Sequence, residues 1–596
     1  TEAPPRPALT PTERRNRERM LQKVRDFWVK GVLEKSLYAE VRLELGLEYR
    51  PGAVENPWDT VLQHAQYGDY QLPPSAKAAD VFHDLNGELL ILGQPGSGKT
   101  TTLLELARDL INWAEPDETL PMPVIFNLSS WAQERKPLAD WLAGELNTKY
   151  QVPKKVAQEW IKTDTLTLLL DGLDEVAETH RNACVAAINA YRAEHGFVDL
   201  VVCSRIEEYD QLSTKLNLQG AIVLKPLTME QIKDYLTVFG DKTITLRKLL
   251  EDKSQLFEIA QSPLMLSIMI MAYQVENMPP DAAIVGRGLV GRMRLYDPYK
   301  LLFDLYVKHM FKRRVPETRY TLEQTQKWLS WLARDMVKFE QTTFYIEGLQ
   351  PTWLKTHVQR RQYRIGNFLA SGPVIGLVVG LAGGLVGGLI YGAIIGFGVG
   401  LVVGLAVGAV NEIEAAERLT WRLNRLRLVI ALLFGLAIGL AIGLVYGLAI
   451  GLVYGLAIGL VYGLAIGLRT VEHVEARIQP NQGIRRSARN ALLIGLAYGL
   501  AYGLTFGLAV LVVGLIYGLI SELAVVMVVG LVMGGGGDAV VQHLTLRFII
   551  MRAGYTPWNY ARFLDFCAER VFLRKVGGGY IFVHRLLLDY FAGLAE

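Results

Sequence analysis

"LLILGQPGSGKTTTLLELA", residues 89–107, sets four apolar residues before a glycine-rich turn and a helical pattern directly after it. The turn fits G-x-x-x-x-G-K-[ST] through Gly93, Gly98, Lys99 and Thr100. Residue types and context agree. Glycines let successive backbone N–H groups curl around a phosphate, and the helix that follows presents its positive end to it. Lys99 is placed to neutralise the terminal phosphate oxygens and Thr100 to ligate a magnesium ion. Gly93, Gln94, Pro95, Gly96, Ser97, Gly98, Lys99, Thr100 and Thr101 are therefore the candidate phosphate cradle.

Working outward, "MPVIFNL", "TLTLLLDGLDE", "VDLVVCSR" and "AIVLKPL" are apolar runs separated by helical patterns up to about Lys225. Runs apolar on both faces and joined through helices predict a parallel, doubly wound α/β sheet. Asp171 ends one run, where a carboxylate can hold magnesium through water, and Asp174 and Glu175 follow as candidates for positioning the attacking water. Solvated loop charge is the plain alternative for Glu175. Arg205 ends the next run, placed either to sense a terminal phosphate or simply to form a salt bridge.

The series "GQPGSGKT", "LLLDGLDE", "VVCSR", "LKPLTMEQIKDYL" and "IAQSPLML" resembles the NACHT family of STAND NTPases, which includes animal NOD-like receptors and many bacterial defence proteins. The resemblance implies ATP/ADP and Mg2+ as cofactors, slow nucleoside triphosphatase chemistry, and a switch that oligomerises on activation. It places Pro263 against the adenine. The C-terminal "GGGYIFVHRLLLDYFAGL" is similar to the family's terminal winged-helix segment, and His584 then corresponds to the histidine that touches the β-phosphate of ADP in the closed state. The family often carries Glu where this chain has Asp589. The resemblance covers residues 50–355 and 555–596. Without it, a histidine beside Phe582 and Leu586 is more often a satisfied core residue.

Composition points to a second architecture. Of 596 residues 57 are glycine and 51% are apolar, yet no Gly-X-Y period appears, which excludes collagen. A net charge of +3 gives no chain-wide attraction to nucleic acid. Three widely spaced cysteines form neither a disulfide framework nor a zinc pattern and fit a reducing compartment. The proline-rich, basic start has no secretory signal pattern, and the missing initiator Met leaves room for sequence upstream. After it, residues 12–46 read as one basic amphipathic helix ending near Gly46, of the kind that mostly packs on a neighbouring domain, with membrane or partner contact as the alternative.

Residues 365–411, 428–468 and 490–521 contain no Asp, Glu, Lys or Arg, and the last run resumes from 523 to 537. Runs this long predict membrane spans. A helix over 428–468 would be about 60 Å long, roughly twice the hydrocarbon thickness, so each run is expected to fold as a hairpin, six spans in all. The flanks "RRQYR", "ERLTWRLNRLR", "RTVEHVEARIQPNQGIRRSAR" and "RFIIMR" are rich in arginine and would all stay cytoplasmic. Glycine at every fourth position from Gly435 to Gly467 forms a ladder suited to close helix approach, with steep right-handed crossings expected from its drift around the helix. Tyr446, Tyr454 and Tyr462 recur along it as packing residues, and no turn is evident at the run midpoints. Glu522 inside the third region is either a functional group or the mark of a span boundary.

The expected organisation is a leader and basic helix (1–50), the NACHT P-loop core (51–225), a helical subdomain with the start of a winged-helix region (226–364), membrane hairpins (365–546) and the winged-helix end (547–596). The fold class is an α/β P-loop NTPase with helical and winged-helix-like subdomains plus an all-α glycine-rich transmembrane region. The expected function is a membrane-anchored ATP/ADP switch in bacterial defence or stress signalling, sited at the inner membrane with NTPase and C-terminus cytoplasmic. Its expected partners are nucleotide, membrane lipid, further copies of itself and an unidentified protein or ligand trigger. A membrane-anchored scaffold without pore activity and a transport ATPase are the alternatives.

Overall fold

The computed structural model describes residues 9–36, 60–64, 68–71, 77–273 except 197, 252 and 253, 298–312, 319–409, 413, 419–421, 436, 440, 468–470, 482–493 and 537–594. These divide into two units. One comprises the described residues up to Phe344 and those from Arg562 onward; the other comprises the described residues between Tyr345 and Ala561.

The first unit is built on a seven-stranded sheet: β1 (Thr60–His64), β2 (Gly68–Gln71), β3 (Glu88–Gly93), β4 (Met122–Asn127), β5 (Leu166–Asp171), β6 (Leu200–Arg205) and β7 (Gly220–Leu224). Its order is β2-β1-β7-β3-β6-β5-β4. The five strands expected from the sequence are mutually parallel, while β1 and β2 form an antiparallel hairpin on the β7 edge. Strands β3, β4, β5 and β6 are apolar on both faces, and Leu89, Ile91, Phe126, Leu169, Leu170 and Leu200 to Cys203 are fully buried. That pattern follows from helices covering both sides of the sheet.

Helix α1 (Pro11–Val24) starts on a capping box from Thr10 and continues as a wider-turned segment, Arg25–Leu33, before the chain turns at residues 34 and 35. The helix thus ends at Leu33, short of Gly46. Met20, Leu21, Val24, Val29 and Val32 belong to the same apolar core as the sheet. Its basic side chains serve this docking. Arg17 donates to the carbonyls of Ala114 (2.7 Å) and Asp117 (2.9 Å), the last residues of and just beyond helix α2 (Lys99–Ala114).

Beyond β7 the unit is helical. Thr228 and Thr321 each cap a helix through a capping box, the latter opening α5 (Leu322–Lys338) after α3 (Glu178–Glu194) and α4 (Pro263–Tyr273). The C-terminal segment adds a two-stranded hairpin, Leu573–Val576 with Gly579–Phe582, and a short final helix, Arg585–Ala592, that packs on α5. Phe344 and Tyr580 exchange two backbone hydrogen bonds of 2.8 Å, joining the last residue of the first segment to this hairpin.

The second unit contains helices α6 (His357–Gly387) and α7 (Leu389–Ala409), antiparallel and joined at Gly388, whose φ of +89° provides the turn that was not evident in the sequence. Both are long and apolar enough to span a membrane. Glycines line their contact in antiparallel pairs. A Cβ on Gly372 would lie 2.7 Å from the Gly400 carbonyl oxygen, one on Gly376 2.6 Å from that of Gly396, and one on Gly392 2.3 Å from that of Gly380. From Gly380 down to Arg364, where Gly408 closes the series, this close contact runs for about 24 Å at 1.5 Å per residue. A steep crossing would separate the helices after a turn or two, so here the two follow the glycine stripe along its length. Outward-facing Leu377, Ile390, Ile394, Phe397 and Val402 are exposed, and only 22% and 33% of the most apolar part of each helix is buried, unlike core helices of a soluble domain.

The structural boundaries fall at Phe344/Tyr345 and Ala561/Arg562, so the second unit extends beyond the expected 365–546 segment at both ends. The basic start of α6 is continuous with its apolar part, and helix α8 (Gly537–Arg552) packs on α6, with Thr545 against Gly366. All the glycines of the ladder from Gly435 to Gly467, the three recurring tyrosines and Glu522 lie outside the described residues, as do the spans expected beyond α7.

Candidate functional site

The C-terminal ends of β3 to β6 share one edge, and the register lines up their last residues: Gly93 opposite Arg205, and Asn127 opposite Asp171. Open α/β sheets bind ligands at this edge. The loop from Gly93 to Gly98 turns into α2 with φ of +73° at Gly96 and +100° at Gly98, a left-handed backbone that side chains with a Cβ resist. The Lys99 ammonium donates to the carbonyls of Gly93 (3.0 Å) and Gln94 (3.1 Å). Burial holds it below the ordinary lysine value, offset in part by the carboxylates of Asp174 and Asp171. Ser97 is buried against Gly93, Gln94 and Pro95 are exposed, and Thr101 lies in the first turn of α2.

Thr100 donates its hydroxyl to Asp171 at 2.9 Å, so the two proposed magnesium ligands already form one oxygen pair. Asp171 is raised to about 6, first by loss of hydration among the strand ends and then by Asp174, with the Thr100 bond opposing. A carboxylate held at such a cost fits a cation site.

Glu175 follows on a one-turn helix, Leu173–Glu175, started by Gly172 at φ +78°. Its Oε2 accepts from the Asn127 amide at 3.2 Å and lies 4.0 Å from the Arg585 guanidinium. Burial raises it to about 7, against the opposing pull of Arg585. A carboxyl group poised near neutral pH suits a general base.

Asp174 and Arg205 pair with each other. Arg205 Nε meets Asp174 Oδ2 at 2.8 Å, and its Nη1 donates to Glu208 at 3.2 Å. In this structure Arg205 is in the salt bridge the sequence left open, with Asp174 as its partner, and the Asp174 charge is also felt by Glu175. Arg181 of α3 braces the same turn through the carbonyls of Asp174 (3.1 Å) and Val176 (3.2 Å).

Pro263 opens α4 beside the phosphate loop. Its neighbours make the contact: Ser262 donates to the Gly96 carbonyl at 3.2 Å, and the Leu264 N–H reaches the same oxygen at 3.4 Å. His584 caps the final helix, its Nδ1 accepting from the Leu586 N–H at 3.1 Å, which assigns the ring proton to Nε2. Burial first, then the nearby positive charges of Arg574, Lys99 and Arg205, lower it to about 3, so it is neutral at physiological pH.

The nucleotide-site candidates named from the sequence all lie in the first unit. Two contributors had not been singled out. Asn127 carried a weak signal, a lone polar residue at the end of an apolar strand. Arg585 carried none beyond its place next to His584.

Residues 88–240 match the NACHT domain family model. This segment is accordingly a P-loop NTPase core of NACHT type, which implies nucleotide binding. No curated protein matches the chain.

Proposed function

We propose that the chain is a membrane-anchored, ATP/ADP-controlled signalling switch in which nucleotide state is coupled to the packing of glycine-rich transmembrane hairpins. The observation that carries this reading is the meeting of C-terminal residues with the P-loop site: Arg585 lies at Glu175, and His584 feels the charges of Lys99 and Arg205. A nucleotide that changes this site changes what holds the final helix. That helix continues from the hairpin bonded to Phe344, and Phe344 leads directly into the helical-hairpin unit.

Within that unit, the starts and ends of the glycine-rich runs are tied to one another. Gln350 exchanges two hydrogen bonds with Ile413 (2.9 and 2.8 Å), just past α7. Strand Leu419–Trp421 pairs with Leu468–Thr470, the two ends of the second run. Gly483 donates to buried Glu347 at 2.5 Å before the third run, and His543, after it, meets the Ile346 carbonyl at 2.8 Å. A run whose two ends are bonded together must cross a membrane an even number of times. This supports three hairpins with their bases on the cytoplasmic side, as the arginine flanks suggest.

In the working cycle Thr100 and Asp171 would hold Mg2+, which neutralises phosphate charge when bound. Lys99 binds the terminal phosphates, the loop N–H groups orient them, and Glu175 takes the proton of the attacking water. His584 donates its Nε2 proton to a phosphate oxygen of the resting, ADP-bound state. ATP and membrane lipid are the expected partners, with self-assembly on triggering and the bacterial inner membrane as the site. Defence or stress signalling rests on the family resemblance. The test is release of dye from liposomes carrying wild type, Lys99→Ala and Glu175→Gln. Leak with ATP and magnesium that Lys99→Ala abolishes and Glu175→Gln prolongs supports the reading. Nucleotide binding without leak favours an anchored scaffold.

A further inference from the structure

The Asn127 side chain can face Glu175 in only one way. Its Oδ1 accepts from the Ser129 backbone N–H at 2.9 Å and also from the Ser129 hydroxyl. Only an oxygen can accept both, so the amide nitrogen is the atom that points to Glu175 Oε2 at 3.2 Å. The residue is 8% exposed, at the end of a strand otherwise made of buried apolar side chains. Its main chain is held too, through the in-register pairing with Asp171 and a bond from Ser130 to its carbonyl at 3.2 Å.

We infer that Asn127 is a positioning residue for nucleotide hydrolysis: it holds one carboxylate oxygen of Glu175 so that the other is aimed at the attacking water. The inference rests on the proposed role of Glu175 as base. Glu175 sits on a short turn after a glycine in left-handed conformation, and its own backbone leaves the side chain several directions. The rigid sheet supplies the missing constraint. Arg585 approaches the same Oε2 from the final helix at 4.0 Å. Asn127 is thus the fixed partner and Arg585 the one that leaves if that helix moves. Ser129 extends the arrangement, since its hydroxyl also lies 3.2 Å from the Glu340 carbonyl oxygen.

Misplacing a general base by about 1 Å costs on the order of a hundredfold in rate. The test uses the full chain in detergent, with steady-state ATP hydrolysis and binding of a fluorescent ATP analogue. Wild type is compared with Asn127→Ala, Asn127→Asp, Glu175→Gln and the double variant Asn127→Ala/Glu175→Gln. Asn127→Asp keeps shape and the acceptor for Ser129 but turns an oxygen toward Glu175. Both Asn127 variants should lose at least about tenfold in kcat with KM for ATP within about twofold, and Asn127→Ala should add nothing to Glu175→Gln. A kcat within about twofold of wild type, a full additional loss in the double variant, or loss of nucleotide binding in both Asn127 variants overturns the inference. If Glu175→Gln itself hydrolyses ATP like wild type, the reading of Glu175 fails first and the inference falls with it.

Discussion

Gly396 and Gly398 lie two residues apart on α7, yet an added methyl group should have opposite effects at the two positions. At Gly396 a Cβ would sit 2.4 Å from the Gly376 carbonyl oxygen and 2.6 Å from the Gly380 Cα. Ordinary contact distances are nearly 1 Å longer, and both obstacles are backbone, so neither can rotate away. The helices must separate by about that amount. Because the close contact continues over about 24 Å, separation at its middle loosens the neighbouring Gly372–Gly400 and Gly380–Gly392 pairs as well. Overpacking of this kind costs roughly 1–3 kcal/mol, more where backbone is the obstacle. At Gly398 nothing lies within 4 Å of the added Cβ, and alanine is the better helix former by up to about 1 kcal/mol. Heating detergent-solubilised protein and following the monodisperse fraction by size exclusion should therefore rank Gly398→Ala at or above wild type and Gly396→Ala several degrees below. Equal shifts for the two variants would refute the claim that the glycine stripe of α6 and α7 acts through backbone contact between the two helices.

Further outcomes follow from the nucleotide site. Lys99→Ala should lower ATP affinity by at least about tenfold in a filter-binding or fluorescence assay, since it removes the one P-loop ammonium. Glu175 is raised in the folded protein to about 7 from an ordinary value near 4.5, so its stabilising contribution is whole below pH 4.5 and is lost as pH rises through 7. Glu175→Gln should therefore gain stability over wild type at pH 8 relative to pH 5, by roughly 2–3 kcal/mol, in nucleotide-free thermal melts. A constant difference across that range would contradict the burial argument. Arg585→Gln removes the charge that opposes the rise, and the pH at which wild type loses this contribution should move upward in the same melts. Arg205→Ala leaves Asp174 without its 2.8 Å partner, and a loss of stability of 1 kcal/mol or more is expected in nucleotide-free protein.

The order of the parallel strands' chemistry was legible in one dimension, because phosphate binding demands a strand, a glycine turn and a helix in immediate succession, and Asp171 and Arg205 end apolar runs that can only be buried strands. The same holds for the apolar runs, whose length and lack of charge are local properties. What one dimension did not contain was approach between distant segments. Asn127 and Arg585 reach Glu175 from 48 and 410 residues away through packing that no local pattern encodes. The docking of α1 into the sheet core likewise depends on Arg17 finding carbonyls at and just beyond the end of α2; its amphipathic pattern announced packing but not the partner. The glycine spacing announced close helix contact but not its geometry: whether the partners cross or run together depends on the turn at Gly388 and on the pairing of Gly372 with Gly400, which only the folded hairpin determines. Sequence thus settled which chemistry the chain carries, because chemistry needs particular residue types at fixed short spacing. Tertiary structure decided which distant groups meet at that site, because such meetings require charges and backbones brought within a few ångströms from opposite ends of the chain.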